Sequence, residues 1–339
     1  QRPVGHLPAG FFVGRNMVGP DLDAIAQAAK GLADAIIKTP VLLLQSARWD
    51  GVLPDCASVT LKLELFQQTG SFKARGALLG LCGLDADQRR AGVVAASGGN
   101  HAMAVAWAAQ EAGVDALITM PRAVDPGRIA GCKALGATVE LHDDMAAAFA
   151  AMSAAAEAGR TIMHPFEADH MILGAATCGY EYHYQAPSID TFVVPIGGGG
   201  LSGGMACAIK QLNPKARVIG VEPYGADTMY RSLQTGSPQK IDQVQTIADS
   251  LGAPFALPQS FAIAREYVDE VVRIEDHDML HAMAQYQDIL RITAEPACAA
   301  SLAALTGPLQ GRVTGENIGL IACGSNISLA RYEALMQAL

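Results

Sequence analysis

Apolar residues along this chain follow two spacings that alternate with each other. From residue 21 to 37 they recur at helical intervals, with Asp21 or Asp23 placed to cap the start and Pro40 to end the segment. Residues 59–65 have the composition of a strand, and 72–81 predict a helix opening near Ser71, a good N-cap. Residues 92–96 form a short apolar strand, broken by Ser97, Gly98, Gly99 and Asn100 before an alanine-rich helix over 101–110. The unit repeats with strands over 116–120 and 138–141 and helices over 128–135 and 145–158. Beyond His164-Pro165-Phe166, strands over 191–196, 217–221 and 319–323 resume the pattern, and a helix runs to Leu212 after four glycines at 197–200.

Strands alternating with helices of this length predict parallel βαβ units and an α/β fold. The His164 region separates two such series and marks an expected domain boundary. Ligands in sheets of this kind bind beyond the carboxyl ends of the strands. Three loops of unusual composition fall there, at residues 97–100, 197–200 and 323–326.

Composition narrows the class. Of the 339 residues 50% are hydrophobic and 17% charged, enough for a large packed core and against disorder. No apolar run reaches the roughly 18 residues of a membrane span. A net charge of −9 argues against a general nucleic-acid binder. Seven widely spaced cysteines, with no CxxC pair, suggest neither a zinc site nor a disulfide framework and predict a reducing, cytoplasmic setting. The N-terminus lacks the apolar segment of a signal peptide, and residues 1–16 read as an extension ahead of Met17.

Candidate chemistry gathers at the loops. Lys73, in Thr69-Gly70-Ser71-Phe72-Lys73-Ala74-Arg75-Gly76, is either a solvated lysine at a helix start, the common case, or an amine kept for covalent catalysis. Gly197, Gly198, Gly199 and Gly200 between a strand and a helix let backbone N–H groups converge on an anion, a phosphate above all. No Lys-Ser/Thr follows, so this is not a Walker loop. Gly198-x-Gly200-x-x-Gly203, with Glu222 ending the next strand, also fits a dinucleotide fingerprint, and an NAD-linked oxidoreductase is the alternative from another class. Ser97, Gly98, Gly99, Asn100 and His101 are either an ordinary βα turn or a carboxylate grip at a helix start, with His101 in a supporting role. Cys323 is a small buried hydrophobe or a thiol partner for a ring nitrogen. Glu295 is a helix cap or a site carboxylate.

Together these motifs resemble the fold-type II pyridoxal-phosphate enzymes, the serine/threonine dehydratase group, over about residues 35–330. The resemblance implies a two-domain tryptophan-synthase-β-like fold, with residues 17–90 plus 168–339 as the cofactor-binding domain and 91–167 as the domain gripping the substrate carboxylate. It implies pyridoxal 5'-phosphate as cofactor, Lys73 as the Schiff-base lysine and base for the α-proton, and Phe72 packed on the ring. Asn100 is implied at the ring hydroxyl, Gly197, Gly198, Gly199, Gly200 and Leu201 around the phosphate, and Glu295 and Cys323 beside the ring, Cys323 at its nitrogen. Ser97, Gly98, Gly99, Asn100 and His101 match the carboxylate loop. The implied reaction is α,β-elimination, taking L-threonine or L-serine to a 2-oxo acid and ammonia; a 3-hydroxyaspartate ammonia-lyase is the alternative within the family. Members that racemise serine carry a serine where Gly98 stands, which demotes racemisation here. Some members bind a divalent cation through Glu222, the Ala226 carbonyl and an acid where this chain has Thr228, so no metal is expected. The family's Gly-Gln-Gly-Thr segment is here Gly174-Ala175-Ala176-Thr177. The chain ends at Leu339, without room for the regulatory domain of biosynthetic deaminases, and a homodimer is the family expectation.

Overall fold

The computed structural model describes residues 18–339; the extension expected over residues 1–16 lies outside the described residues. Ten strands among them form two sheets. In chain order they are β1 (Val41–Leu43), β2 (Ser58–Lys62), β3 (Val93–Ala96), β4 (Ala116–Pro121), β5 (Thr138–His142), β6 (Thr161–Ile162), β7 (Thr191–Pro195), β8 (Arg217–Pro223), β9 (Glu270–Ile274) and β10 (Asn317–Ile321). The six-stranded sheet runs β1-β2-β10-β7-β8-β9 and is parallel except for β1; the four-stranded sheet runs β5-β4-β3-β6 and is parallel throughout.

Helices cover the sheets, so the central strands are apolar on both faces. In β3 the alternation is direct: Val93 and Ala95 join one buried cluster, Val94 and Ala96 another with Leu117 and Met152. The larger sheet buries Leu61, Val193, Ile219 and Leu320 in its own core. The helix Lys73–Cys82 packs with Leu32 and Ala104 on the smaller sheet's side. It crosses the helix Asp169–Gln185 closely: a Cβ on Gly174 would lie 2.3 Å from the Gly76 nitrogen.

Several elements differ from their predicted bounds, each for a local reason. The first helix ends at Leu32 rather than Ile37, because the Gln67 side chain accepts from the Ile37 N–H (2.8 Å) and donates to its carbonyl (2.7 Å). Strand β2 stops at Lys62, where the chain turns to carry Glu64 inward against Arg75. Ser71 is not an N-cap. It is extended, bridges Gly324, and its hydroxyl has no hydrogen-bond partner; Phe72 precedes the helix instead. The helix expected over 128–135 opens earlier, at Pro126, because Asp125 caps it through the Gly127 N–H. Strands β1, β6 and β9 carried too short or too mixed an apolar pattern to be read.

Candidate active site

The three loops singled out in the sequence meet at one cavity of about 690 Å³, lined also by Lys73, Phe72, Glu295 and Cys323. The ends of β3, β7 and β10 deliver the loops, as strand termini in parallel sheets do.

Gly199 stands at φ 89° before the helix Gly200–Leu212, a left-handed turn that glycine adopts without strain. Among the described residues, no protein acceptor takes the N–H groups of Gly197, Gly198 or Gly199. Side chains are sterically excluded here: a Cβ on Gly197 would sit 2.7 Å from the Ser250 carbonyl, and one on Gly198 would meet the Phe166 ring at 2.2 Å. Free N–H groups beside a helix start make an anion cradle. At the other loop, Ser97 Oγ accepts from the Gly99 N–H at 3.2 Å. The N–H groups of Gly98 and Asn100 have no protein acceptor among the described residues, leaving them for a carboxylate.

Lys73 opens its helix half-buried, with its amine 5.0 Å from the centre of the Phe72 ring and donating to the Pro165 carbonyl at 2.5 Å. Removal from water draws its pKa from 10.5 down to about 8. Burial drives the Cys323 thiol well above its ordinary value, so it is neutral, and its Sγ donates to the Ala297 carbonyl at 3.6 Å. A neutral group suits an unprotonated ring nitrogen.

Glu295 occupies the N-cap position of the helix Pro296–Thr306, but its side chain makes no cap hydrogen bond and turns to the site instead. At 2% exposure its Oε1 accepts from Asn100 Nδ2 (2.6 Å) and Ser250 Oγ (3.3 Å), while Oε2 has no partner. Burial raises its pKa. Asn100 Oδ1 accepts from Asn326 Nδ2 at 2.7 Å, which leaves its amide shared between Glu295 and Ser250. His101 is buried with Nε2 against the Met163 carbonyl at 2.7 Å; burial and the nearby Lys73 lower its pKa well below 6.5, so it is a neutral structural group.

The dinucleotide reading does not survive. Glu222, needed for a ribose, accepts the N–H groups of Met229 (2.9 Å) and Tyr230 (2.7 Å) at the helix Thr228–Thr235. Thr228 Oγ1 turns to the Ala253 carbonyl, and among the described residues no three His, Cys, Asp or Glu side chains group to hold a metal. Sequence reasoning missed Pro165, Phe166, Ser250, Asn326 and Arg128, all cavity or network residues. Of these, the His164-Pro165-Phe166 break carried a sequence signal that read as a boundary, and Asn326 lay in the loop singled out at 323–326 without a role of its own.

An anion cradle, a carboxylate-sized donor loop and a desolvated amine between them suit a phosphorylated aldehyde that captures amino acids. The glycine turn, closed to side chains, and the unpartnered Glu295 oxygen fit such a group. The architecture is that of fold-type II pyridoxal-phosphate enzymes. The chain belongs to the pyridoxal-phosphate dependent enzyme family, whose model matches residues 32–324. It is 42% identical to phenylserine dehydratase from Ralstonia pickettii over 92% of this chain and 95% of that protein. It is 34% identical to L-threonine ammonia-lyase from Thermotoga maritima, over 93% of this chain and 78% of that one. The structure of maize serine racemase superposes with a TM-score of 0.88 at 32% identity, covering 95% of this chain and 98% of that chain. Pyridoxal phosphate is therefore its cofactor, and among the described residues no helix is long and apolar enough to cross a membrane.

Proposed function

We propose that the protein eliminates water from a β-hydroxy α-amino acid, releasing a 2-oxo acid and ammonia, and that it prefers a bulky apolar β-substituent. The observation that carries elimination over racemisation is the contact above Gly98: a Cβ there would lie 2.2 Å from Val124 Cγ2. Racemisation needs a proton donor on the face opposite the lysine, and Val124 fills the space such a side chain on residue 98 would need. Lys73 then works from one face only.

In this reading the loop at Ser97, Gly98, Gly99, Asn100 and His101 takes the substrate carboxylate on backbone N–H groups. Gly197, Gly198, Gly199, Gly200 and Leu201 would hold the cofactor phosphate, and Phe72, Asn100 and Glu295, which line the same cavity, would hold its ring. Bound there, pyridoxal phosphate withdraws electrons from the α-carbon of the attached amino acid. The Lys73 amine takes the α-proton, helped by a pKa of about 8 that keeps a free base available near neutrality. The Cys323 thiol, kept neutral by burial, would leave a ring nitrogen beside it uncharged, which would favour loss of the β-hydroxyl over transamination.

L-threonine and L-serine undergo the same chemistry, but the cavity has more room than either needs beside the cofactor. Its lining includes Pro121, Val124, Met145 and Phe166, and the similarity to phenylserine dehydratase supports an aryl substituent. Arg331 at the same cavity favours the second reading, a β-carboxylate as in 3-hydroxyaspartate. Release of 2-oxo acid from L-phenylserine, L-threonine, L-serine and 3-hydroxyaspartate decides among them. We expect kcat/KM for L-phenylserine at least 10-fold above L-threonine. A preference for 3-hydroxyaspartate would support the second reading, and D-serine formed from L-serine faster than pyruvate would overturn elimination as the main reaction. A homodimer is part of the proposal, checked by sedimentation.

A further inference from the structure

Arg128 lies outside every motif yet touches both halves of the site. Its Nε (3.1 Å) and Nη2 (2.7 Å) donate to the Asn326 carbonyl, in the loop after β10, and its Nη1 donates to the Gly98 carbonyl at 3.2 Å, in the loop after β3. It is 17% exposed, and among the described residues the carboxylate within 4 Å of it, Asp249, is 3.8 Å away and largely exposed; Asp125 and Glu295 feel its charge from further off. Among these residues its hydrogen bonds go to two backbone carbonyls and to no carboxylate. Asn326 continues the chain, its amide donating to the Thr69 carbonyl and to Asn100 Oδ1, both at 2.7 Å. A planar fork bonded this way fixes distance and angle at once, which an ammonium would not do.

The Gly98 carbonyl belongs to the same peptide as the Gly99 N–H. A cation on the oxygen polarises that peptide and strengthens the Gly99 N–H bond to Ser97 Oγ, which sets the shape of the loop. We propose that Arg128 is a positioning residue for the substrate carboxylate: it holds the loop at Gly98 in register with the loop at Asn326 and so fixes the free Gly98 and Asn100 N–H groups in the arrangement that grips the anion. The inference rests on the proposed reading of residues 97–101 as the carboxylate loop.

The test uses the holoenzyme and two probes, L-alanine and ethylamine, which is alanine without its carboxylate. Each is titrated while the visible absorption of the bound cofactor is followed. In Arg128→Met the apparent dissociation constant for L-alanine should rise 10- to 100-fold, the range of one hydrogen bond to a charged group, with ethylamine changed less than about 3-fold. Arg128→Lys, which keeps the charge and loses the fork, should fall between wild type and Arg128→Met. With the preferred substrate, KM should rise by the same factor and kcat should hold within about 3-fold.

Equal weakening of both amines, or unchanged L-alanine binding, overturns the proposal. If Arg128→Met does not fold, the same comparison in Arg128→Lys decides. A wild-type protein that takes up no cofactor fails on the cofactor itself. One that binds cofactor and both amines but eliminates nothing fails only on the reaction, and the alanine–ethylamine comparison still judges Arg128.

Discussion

Lys73 depends more on its surroundings than on its own sequence. A lysine at a helix start is ordinarily solvated, yet here the Pro165 carbonyl and the Phe72 ring receive its amine. A shift from 10.5 to about 8 raises the free-base fraction at pH 7 roughly 300-fold. Cofactor uptake by the apoprotein should therefore accelerate as pH rises and level off above about 8, not 10.5, when followed by visible absorption. The stability sign is opposite to that of a salt-bridged lysine. Between about 8 and 10.5 the unfolded chain binds the proton that the folded one has lost, so apoprotein stability rises with pH across that window. Lys73→Ala should remove both the visible band and turnover. At this scale the glycines, Asn100 and Cys323 were legible because each motif is local. Arg128, Phe166 and the role of Asn326 within its flagged loop were not, since their partners lie far away in the chain; Arg128 reaches Asn326 across 198 positions.

At the scale of elements, the alternation of spacings was enough to read parallel sheets, and most core strands fell near their predicted positions. The errors came where a side chain outcompeted a local preference. Gln67 took the backbone of Ile37 from a helix end, and the bridge between Ser71 and Gly324 drew a good capping residue into an extended pair. Helix crossings were invisible because they depend on what is missing. The approach of Lys73–Cys82 to Asp169–Gln185 has no space for a methyl at Gly174, with Gly76 backbone atoms at 2.3 and 2.4 Å from its position. Gly174→Ala should cost about 1–3 kcal/mol in urea unfolding, the usual range for overpacking, despite alanine's better helix propensity. It should also weaken cofactor binding, because Lys73 opens the displaced helix.

On the scale of the whole molecule, one buried ionic network joins the sheets' supporting layers. Arg75 grips Glu64 with both arms, Nε to Oε2 at 2.8 Å and Nη2 to Oε1 at 2.7 Å, and also reaches Glu181 at 3.2 Å. Lys62 pairs with Glu181, and Thr39 Oγ1 donates to Glu64 at 2.5 Å. Burial by itself would raise the Glu64 pKa, but the charge and hydrogen bonds of Arg75, with Lys62, outweigh it and hold the value below 4.5. A lowered carboxyl stabilises fully above its unfolded value and loses that contribution as pH falls through the folded one. Glu64→Gln leaves Arg75 short of a counter-charge and should cost about 3–5 kcal/mol at pH 7. The gap from wild type should narrow in acid, as unfolding at pH 7 and below pH 4 will reveal.

The glycine turn has a consequence for the cofactor's environment in solution. From Thr191 to Ile209 the chain contains no lysine or arginine, so in the proposed reading this segment would meet the phosphate with peptide dipoles alone. Dissolved ions screen exposed charges across distances near 10 Å at moderate ionic strength, but they hardly weaken short contacts to fixed dipoles walled in by the Phe166 ring. If the glycine turn holds the phosphate, its retention should vary little between dilute buffer and strong brine, and the enzyme should keep its prosthetic group where a lysine-lined pocket would begin to release it.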